Sequence, residues 1–219
     1  MKIFGKFHSI NDIAQGIKEY RKPNREDVRI LLIDNEPFSS LERLKRNNFI
    51  ITQANDIENV SFINEYEIVL LDIEGVAKSL SEKYQGAFLI KEIRNKYPHK
   101  IIVAYSAKTF DASYNEYFSY ANFVFLKDIS TEQWVENLDE AITHAIDAVY
   151  QWKSLRDYLL KKDVRLDIVL KLENNFVQSL ERKQNVLLDN DITKLVTEDI
   201  RSILINFSSS LLFKTIIGE

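Results

Sequence analysis

The chain has 219 residues, 45% hydrophobic and 28% charged, which is enough apolar material for a packed core and excludes disorder as the main state. It has no Cys, so a disulfide scaffold, a thiolate zinc site and a cysteine nucleophile are excluded, and its 5 Gly and 3 Pro argue against a turn-rich all-β fold. A net charge of -4 gives no electrostatic case for nucleic acid or an anionic membrane.

The N-terminal 27 residues carry six basic and four acidic side chains, with no continuous apolar stretch of a signal peptide. No apolar run reaches the roughly 18 residues that span a bilayer. The expectation is therefore a cytoplasmic protein with no membrane partner. Ser9 or Asn11 suits the cap of a short helix up to Tyr20, and Arg21-Lys22-Pro23-Asn24 reads as a linker.

From residue 28 the hydrophobic period changes repeatedly. Arg29–Ile33 (RILLI), Ile50–Ala54 (IITQA), Glu67–Leu71 (EIVLL), Lys100–Tyr105 (KIIVAY) and Asn122–Leu126 (NFVFL) are short, rich in Ile, Val, Leu or Phe, and flanked by polar residues. Buried parallel strands have this composition. Helix-period segments lie between them: one after Asn35-Glu36-Pro37, with Pro in its first turn, then roughly 56–64, 82–97 and 110–120. The alternation predicts a parallel sheet covered on both faces, in the strand order 2-1-3-4-5, whose switch point lies between strands 1 and 3.

After the last strand the pattern becomes wholly helical. Leu138, Ile142, Ala145, Val149, Trp152, Leu155 and Leu159 form one face of a continuous helix over 130–161, about 45 Å long at the standard rise. A second helix is expected over 163–183. A third runs from Ile192 to about Phe207, after a turn and cap at Leu188-Asp189-Asn190-Asp191. An apolar tail, Leu211–Ile217, follows. Residues from 133 onward carry 11 basic and 14 acidic side chains, which opposes DNA binding. The expected division is an N-terminal segment at 1–27, an α/β domain at 28–130 and an all-α region at 131–219. The apolar helices, too few to build a strong core alone, predict a homodimer.

Strand ends of an open parallel sheet share one edge, where ligands bind. Asp34 and Asn35 follow strand 1, Asp72 strand 3, Ser106 strand 4 and Lys127 strand 5. Two carboxylates at the switch point make an oxygen-rich pocket of the kind magnesium prefers. A lysine and a hydroxyl opposite them suit a phosphoryl group carried on a carboxylate. Taken alone, each is an ordinary strand-end polar residue. His8, His99 and His144 show no metal spacing, and Trp134, Trp152, Tyr114, Tyr117 and Tyr120 read as packing residues.

At RILLIDNEP (29–37), EIVLLD (67–72), IIVAYSA (101–107) and FVFLK (123–127) the sequence resembles the receiver domain of bacterial response regulators. The resemblance covers roughly 28–130 and implies a flavodoxin-like, five-stranded, doubly wound sheet. It implies Asp72 as phosphoacceptor, Ser106 as the hydroxyl that turns toward the phosphate and Lys127 as its ion-pair partner. Asp34, Asn35, Asp72 and Glu74, the last through its carbonyl, would hold Mg2+. A sensor histidine kinase or phosphotransfer protein would be the partner, with output through protein–protein contacts and no enzymatic activity beyond self-dephosphorylation. The chain departs from the family pattern at Asn35 (usually a second acid), Val124 (commonly aromatic) and Asp128 (often Pro). The loop after Asp72 is also longer, and the segment between strands 1 and 3 shorter. Glu36 or the Glu74 side chain would compensate for Asn35. Two alternatives stand beside this reading: a receiver fold that signals without phosphorylation, and a phosphatase. Asp72-Ile73-Glu74-Gly75-Val76 resembles the first motif of haloacid dehalogenase-type phosphatases, although their later paired acids are missing here.

Overall fold

A computed structural model describes residues 9–10, 24–106, 114–188, 190–210 and 213–214. The chain divides into two compact units. One is Pro23–Asp147; the other joins Ala148–Glu219 to Met1–Lys22, so the first boundary falls after Lys22 and not at 27.

The first unit is built on five parallel strands: β1 (Arg29–Ile33), β2 (Ile50–Ala54), β3 (Ile68–Asp72), β4 (Ile101–Ser106) and β5 (Phe123–Leu126), in the order β2-β1-β3-β4-β5. This is the predicted fold class and order. β1, β3 and β4 are apolar along nearly their whole length because both faces are covered, and β3 and β4 are buried at every residue. The edge strand β5 is only half-buried.

Helix α1 (Leu41–Arg46) and helix α4 (Thr131–Ile146) pack on one face of the sheet, where Phe38 and Trp134 meet the Tyr105 ring. Helix α2 (Gln85–Lys96) covers the other face with Leu89, Ile90 and Ile93, against Leu31, Ile33, Val69, Leu71, Ile102 and Ala104. A 3-10 helix (Val60–Glu65) and the short α3 (Asn115–Phe118) complete that face. Two predicted helices are thus shorter or tighter: Pro37 lies outside α1, which starts only at Leu41, and in place of the helix expected over 56–64 stands the 3-10 helix Val60–Glu65, capped by Asn59. Of the helix expected over 110–120, residues 110–113 lie outside the described residues, and Asn115–Phe118 are helical. α4 is anchored by a capping box in which Ser130 and Gln133 exchange hydrogen bonds of 3.2 and 2.9 Å.

The predicted continuous helix over 130–161 is two helices. At Asp147 the backbone turns extended (ψ 106°), ending α4, and α5 (Ala148–Lys161) begins the second unit. The boundary between units therefore falls after Asp147, whereas the sequence reading placed it at 130. α6 (Leu166–Arg182) matches its prediction. The third predicted helix is split into α7 (Asn190–Thr193) and α8 (Glu198–Ser208), because Thr197 caps a new start by accepting from the Ile200 N–H. The unit has its own aromatic core of Trp152, Phe176, Phe207 and Phe213, with Trp152 stacked on Phe176 at 5.0 Å. Ile10 is buried in this core, and its N–H donates to Glu173 at 3.2 Å. The expected helix up to Tyr20, the linker 21–23 and most of the tail 211–217 lie outside the described residues. Among those described, no helix is long and apolar enough to cross a membrane.

Candidate functional site

The parallel register sets β1, β3 and β4 side by side with their C-terminal ends at one edge, and Asp72 pairs with Tyr105. Side chains of paired residues share a face. The alternation that buries Leu70 and Val103 beside α4 therefore turns Asp72 and Tyr105 the same way. Asp72 and Ser106 are the last residues of their strands, while Asp34 and Lys127 each lie one residue beyond. Asp34 is fully buried, and Asp72 and Ser106 nearly so.

Lys127 is the hub. Its Nζ lies 2.9 Å from Asp72 Oδ2, 3.2 Å from Asp34 Oδ2 and 3.3 Å from Glu36 Oε2. Burial alone would lower its pKa, but the bond to Asp72 and the charge of both aspartates raise it, so the ammonium stays protonated. Burial raises the Asp72 pKa, and the Lys127 bond only partly opposes this. Asp72 Oδ1 accepts from the Glu74 N–H at 3.1 Å, and Asp34 Oδ1 from the Glu36 N–H at 2.8 Å. The Lys127 N–H in turn donates to the Ser106 carbonyl at 2.8 Å, which ties the end of β5 to β4.

These groups border an open cavity of about 460 Å³, lined by Asn35, Glu36, Asp72, Glu74, Gly75, Lys78, Gln85, Tyr114 and Lys127. The Asn35 amide lies over Gly75, whose φ is +84° and where an added Cβ would come within 2.3 Å of Asn35 Oδ1, so both the turn and the contact require glycine. Of the site residues read from the sequence, Asn35, Asp72, Glu74 and Lys127 line the cavity. Asp34 lies behind it, joined through Lys127, and Ser106 lies at its strand end.

Two contributors escaped the sequence reading. Tyr105 donates its hydroxyl to Asp34 Oδ2 at 2.7 Å, and burial together with Asp34 raises its pKa strongly, which keeps it a donor. The signal was its place one residue before Ser106, in register with Asp72. Lys78 has no strand to mark it. Conversely, the packing readings hold for Trp134 and Trp152, both fully buried, while His144 stacks on Phe123 at 5.4 Å.

The donor set for Mg2+ is that of a weak site. Both Asp34 oxygens already accept hydrogen bonds, each aspartate shares the Lys127 cation, and Asn35 brings no charge. Among the described residues, no group of three or more His, Asp or Glu side chains stands ready to hold a metal.

No family model matches the chain, and no curated protein matches it. Solved structures similar to it include receiver domains of response regulators, which cover about half of the chain. One is a receiver domain protein from Methanospirillum hungatei, 14% identical over 54% of this chain and 95% of that one, with a TM-score of 0.46. A response regulator from Thermotoga maritima is 17% identical, over 53% and 98%, with a TM-score of 0.43. Another Thermotoga response regulator, solved in complex with Mg(2+)-BeF, is 24% identical, over 52% and 98%, with a TM-score of 0.42. The remainder of the chain is helical.

Proposed function

We propose that the sheet unit is a phosphoacceptor signalling module whose Asp72 takes a phosphoryl group from a sensor histidine kinase or phosphotransfer protein. The observation that carries this reading is the Lys127 ammonium, held between Asp72 and Asp34 at the mouth of an open cavity. Asp72 attacks as the carboxylate: its oxygen forms the new bond to phosphorus as the bond to the donor's leaving group breaks, and Lys127 stays protonated throughout. Lys127 then pairs with the new phosphoryl oxygens, leaving Asp34 to Tyr105, and the Ser106 hydroxyl takes a further oxygen. Output passes through protein–protein contacts in the cytoplasm, without DNA and without turnover of a substrate beyond self-dephosphorylation. A magnesium ion would supply positive charge opposite the phosphoryl oxygens, held weakly by Asp72, the Asn35 amide and the Glu74 carbonyl.

The test is mass spectrometry of the full chain after incubation with acetyl phosphate. One phosphoryl adduct on the wild type, absent from Asp72→Ala, supports the reading. Sustained hydrolysis of phosphate esters would favour the phosphatase, and an unmodified chain would favour signalling without phosphorylation. Asn35→Asp should tighten magnesium binding, and an unchanged affinity would show that another side chain already supplies that charge.

A further inference from the structure

The segment between Asp72 and α2, longer than the family pattern, is tied down at several points. The Glu74 N–H donates to Asp72 Oδ1 at 3.1 Å, the Gly75 N–H to Gln85 Oε1 at 2.5 Å and the Ala77 N–H to Asp56 Oδ1 at 2.7 Å. Leu80 and Ser81 N–H groups close a turn onto the Ala77 carbonyl at 3.0 and 3.1 Å. Ala77 is fully buried in a left-handed conformation, φ 55°, which sets the chain's direction where Lys78 leaves it. Lys78 lines the same cavity as Asn35, Asp72 and Lys127, and makes no ion pair among the described residues.

Lys127 is already shared among three carboxylates, so one ammonium cannot also neutralise an incoming phosphoryl dianion. Asn35, the neutral amide, stands where an acid would otherwise draw in a metal. Among the described residues, the cavity's remaining positive charge is Lys78. We propose that Lys78 is an oxyanion-binding residue of the Asp72 cavity, which together with Lys127 holds a phosphoryl-like group there without a divalent metal. The inference rests on the phosphoacceptor reading of Asp72.

The experiment titrates the full-length chain with beryllofluoride, followed by fluorine NMR and calorimetry, once in EDTA and once in millimolar magnesium. The wild type should bind in EDTA, with little gain from magnesium. Lys78→Ala should weaken binding at least about tenfold, the scale of one lost charge-assisted hydrogen bond. Lys78→Arg should retain binding, and Asp72→Ala should lose it. Because Lys78 is exposed, its variants should melt like the wild type, so that weakened binding reports on the site. Binding that requires magnesium, or that is equal in Lys78→Ala, overturns this inference alone. Absence of binding in both conditions overturns it together with the phosphoacceptor reading.

Discussion

Asp34 is fully buried yet keeps its place because three donors converge on it: the Glu36 N–H, the Tyr105 hydroxyl and the Lys127 ammonium. Tyr105→Phe removes one of these without changing shape. A hydrogen bond to a charged group contributes about 1.5–3 kcal/mol, so urea denaturation should show a loss on that scale. An unchanged midpoint would mean that water or Lys127 replaces the hydroxyl. At the opposite edge of the sheet, buried Lys100 donates to the carbonyls of Asn64 and Tyr66, and burial lowers its pKa from 10.5 to about 8. Between those values the unfolded chain binds the proton that the folded chain releases, so this group's contribution to stability rises with pH and is lost as pH falls from 10.5 toward 8. The stability of the wild type relative to Lys100→Met should therefore increase across that window, by on the order of 3 kcal/mol. Paired urea titrations at its two ends measure this, and a flat difference would refute it.

Among the elements, the strands were legible because short runs such as RILLI and KIIVAY can be buried on both faces only in a parallel sheet, and their polar ends named Asp34, Asp72, Ser106 and Lys127 directly. The break at Asp147 was not legible. It carries neither Pro nor Gly, and the apolar spacing from Ile142 through Ala145 to Val149 runs across it unbroken. The start of α8 was written in Thr197-Glu198-Asp199, a cap followed by an acidic first turn, but the apolar period around it masked the signal. Tyr105 and Lys78 were hidden for another reason: their roles arise from cross-strand register and from a left-handed turn at Ala77, which no local composition announces. Packing between elements also bears on the site. A Cβ on Gly86, in the first turn of α2, would stand 2.2 Å from the Asp72 carbonyl. Gly86→Ala should therefore push α2 off the end of β3, costing about 2 kcal/mol and weakening beryllofluoride binding through a displaced Asp72. Wild-type binding and stability in this variant would show that α2 shifts freely.

Across the whole molecule, the helical unit covers its aromatic core within one chain, which removes the main sequence argument for a dimer. Among the described residues of this unit, Leu160, Leu166, Leu170, Leu195 and Ile205 stay exposed, and Leu166 and Leu170, one turn apart on α6, are exposed most, the first at 60%. If the homodimer forms, these residues carry it: light scattering of the wild type should give twice 25.7 kDa at micromolar concentration, and Leu170→Glu should return it to 25.7 kDa. A wild-type mass of 25.7 kDa would remove the dimer from the account.

The hydrogen bond from Ile10 to Glu173 has a consequence for the order of assembly during synthesis. It ties together residues 163 positions apart, with all of Pro23–Asp147 made between them. A ribosome delivers the first partner long before the second, while everything the sheet needs emerges in between. The sheet can form on the nascent chain; the helical core, lacking α5 to α8, cannot. Ile10 must wait, its apolar side chain in water, until the last helices leave the exit tunnel. Folding of the sheet first fixes the length of the loop that joins the waiting segment to its acceptor and lowers the entropy of closing it. Pulse-labelled hydrogen exchange on stalled chains should show β1 to β5 protected before the Ile10 amide, and simultaneous protection would mean that the two units fold as one.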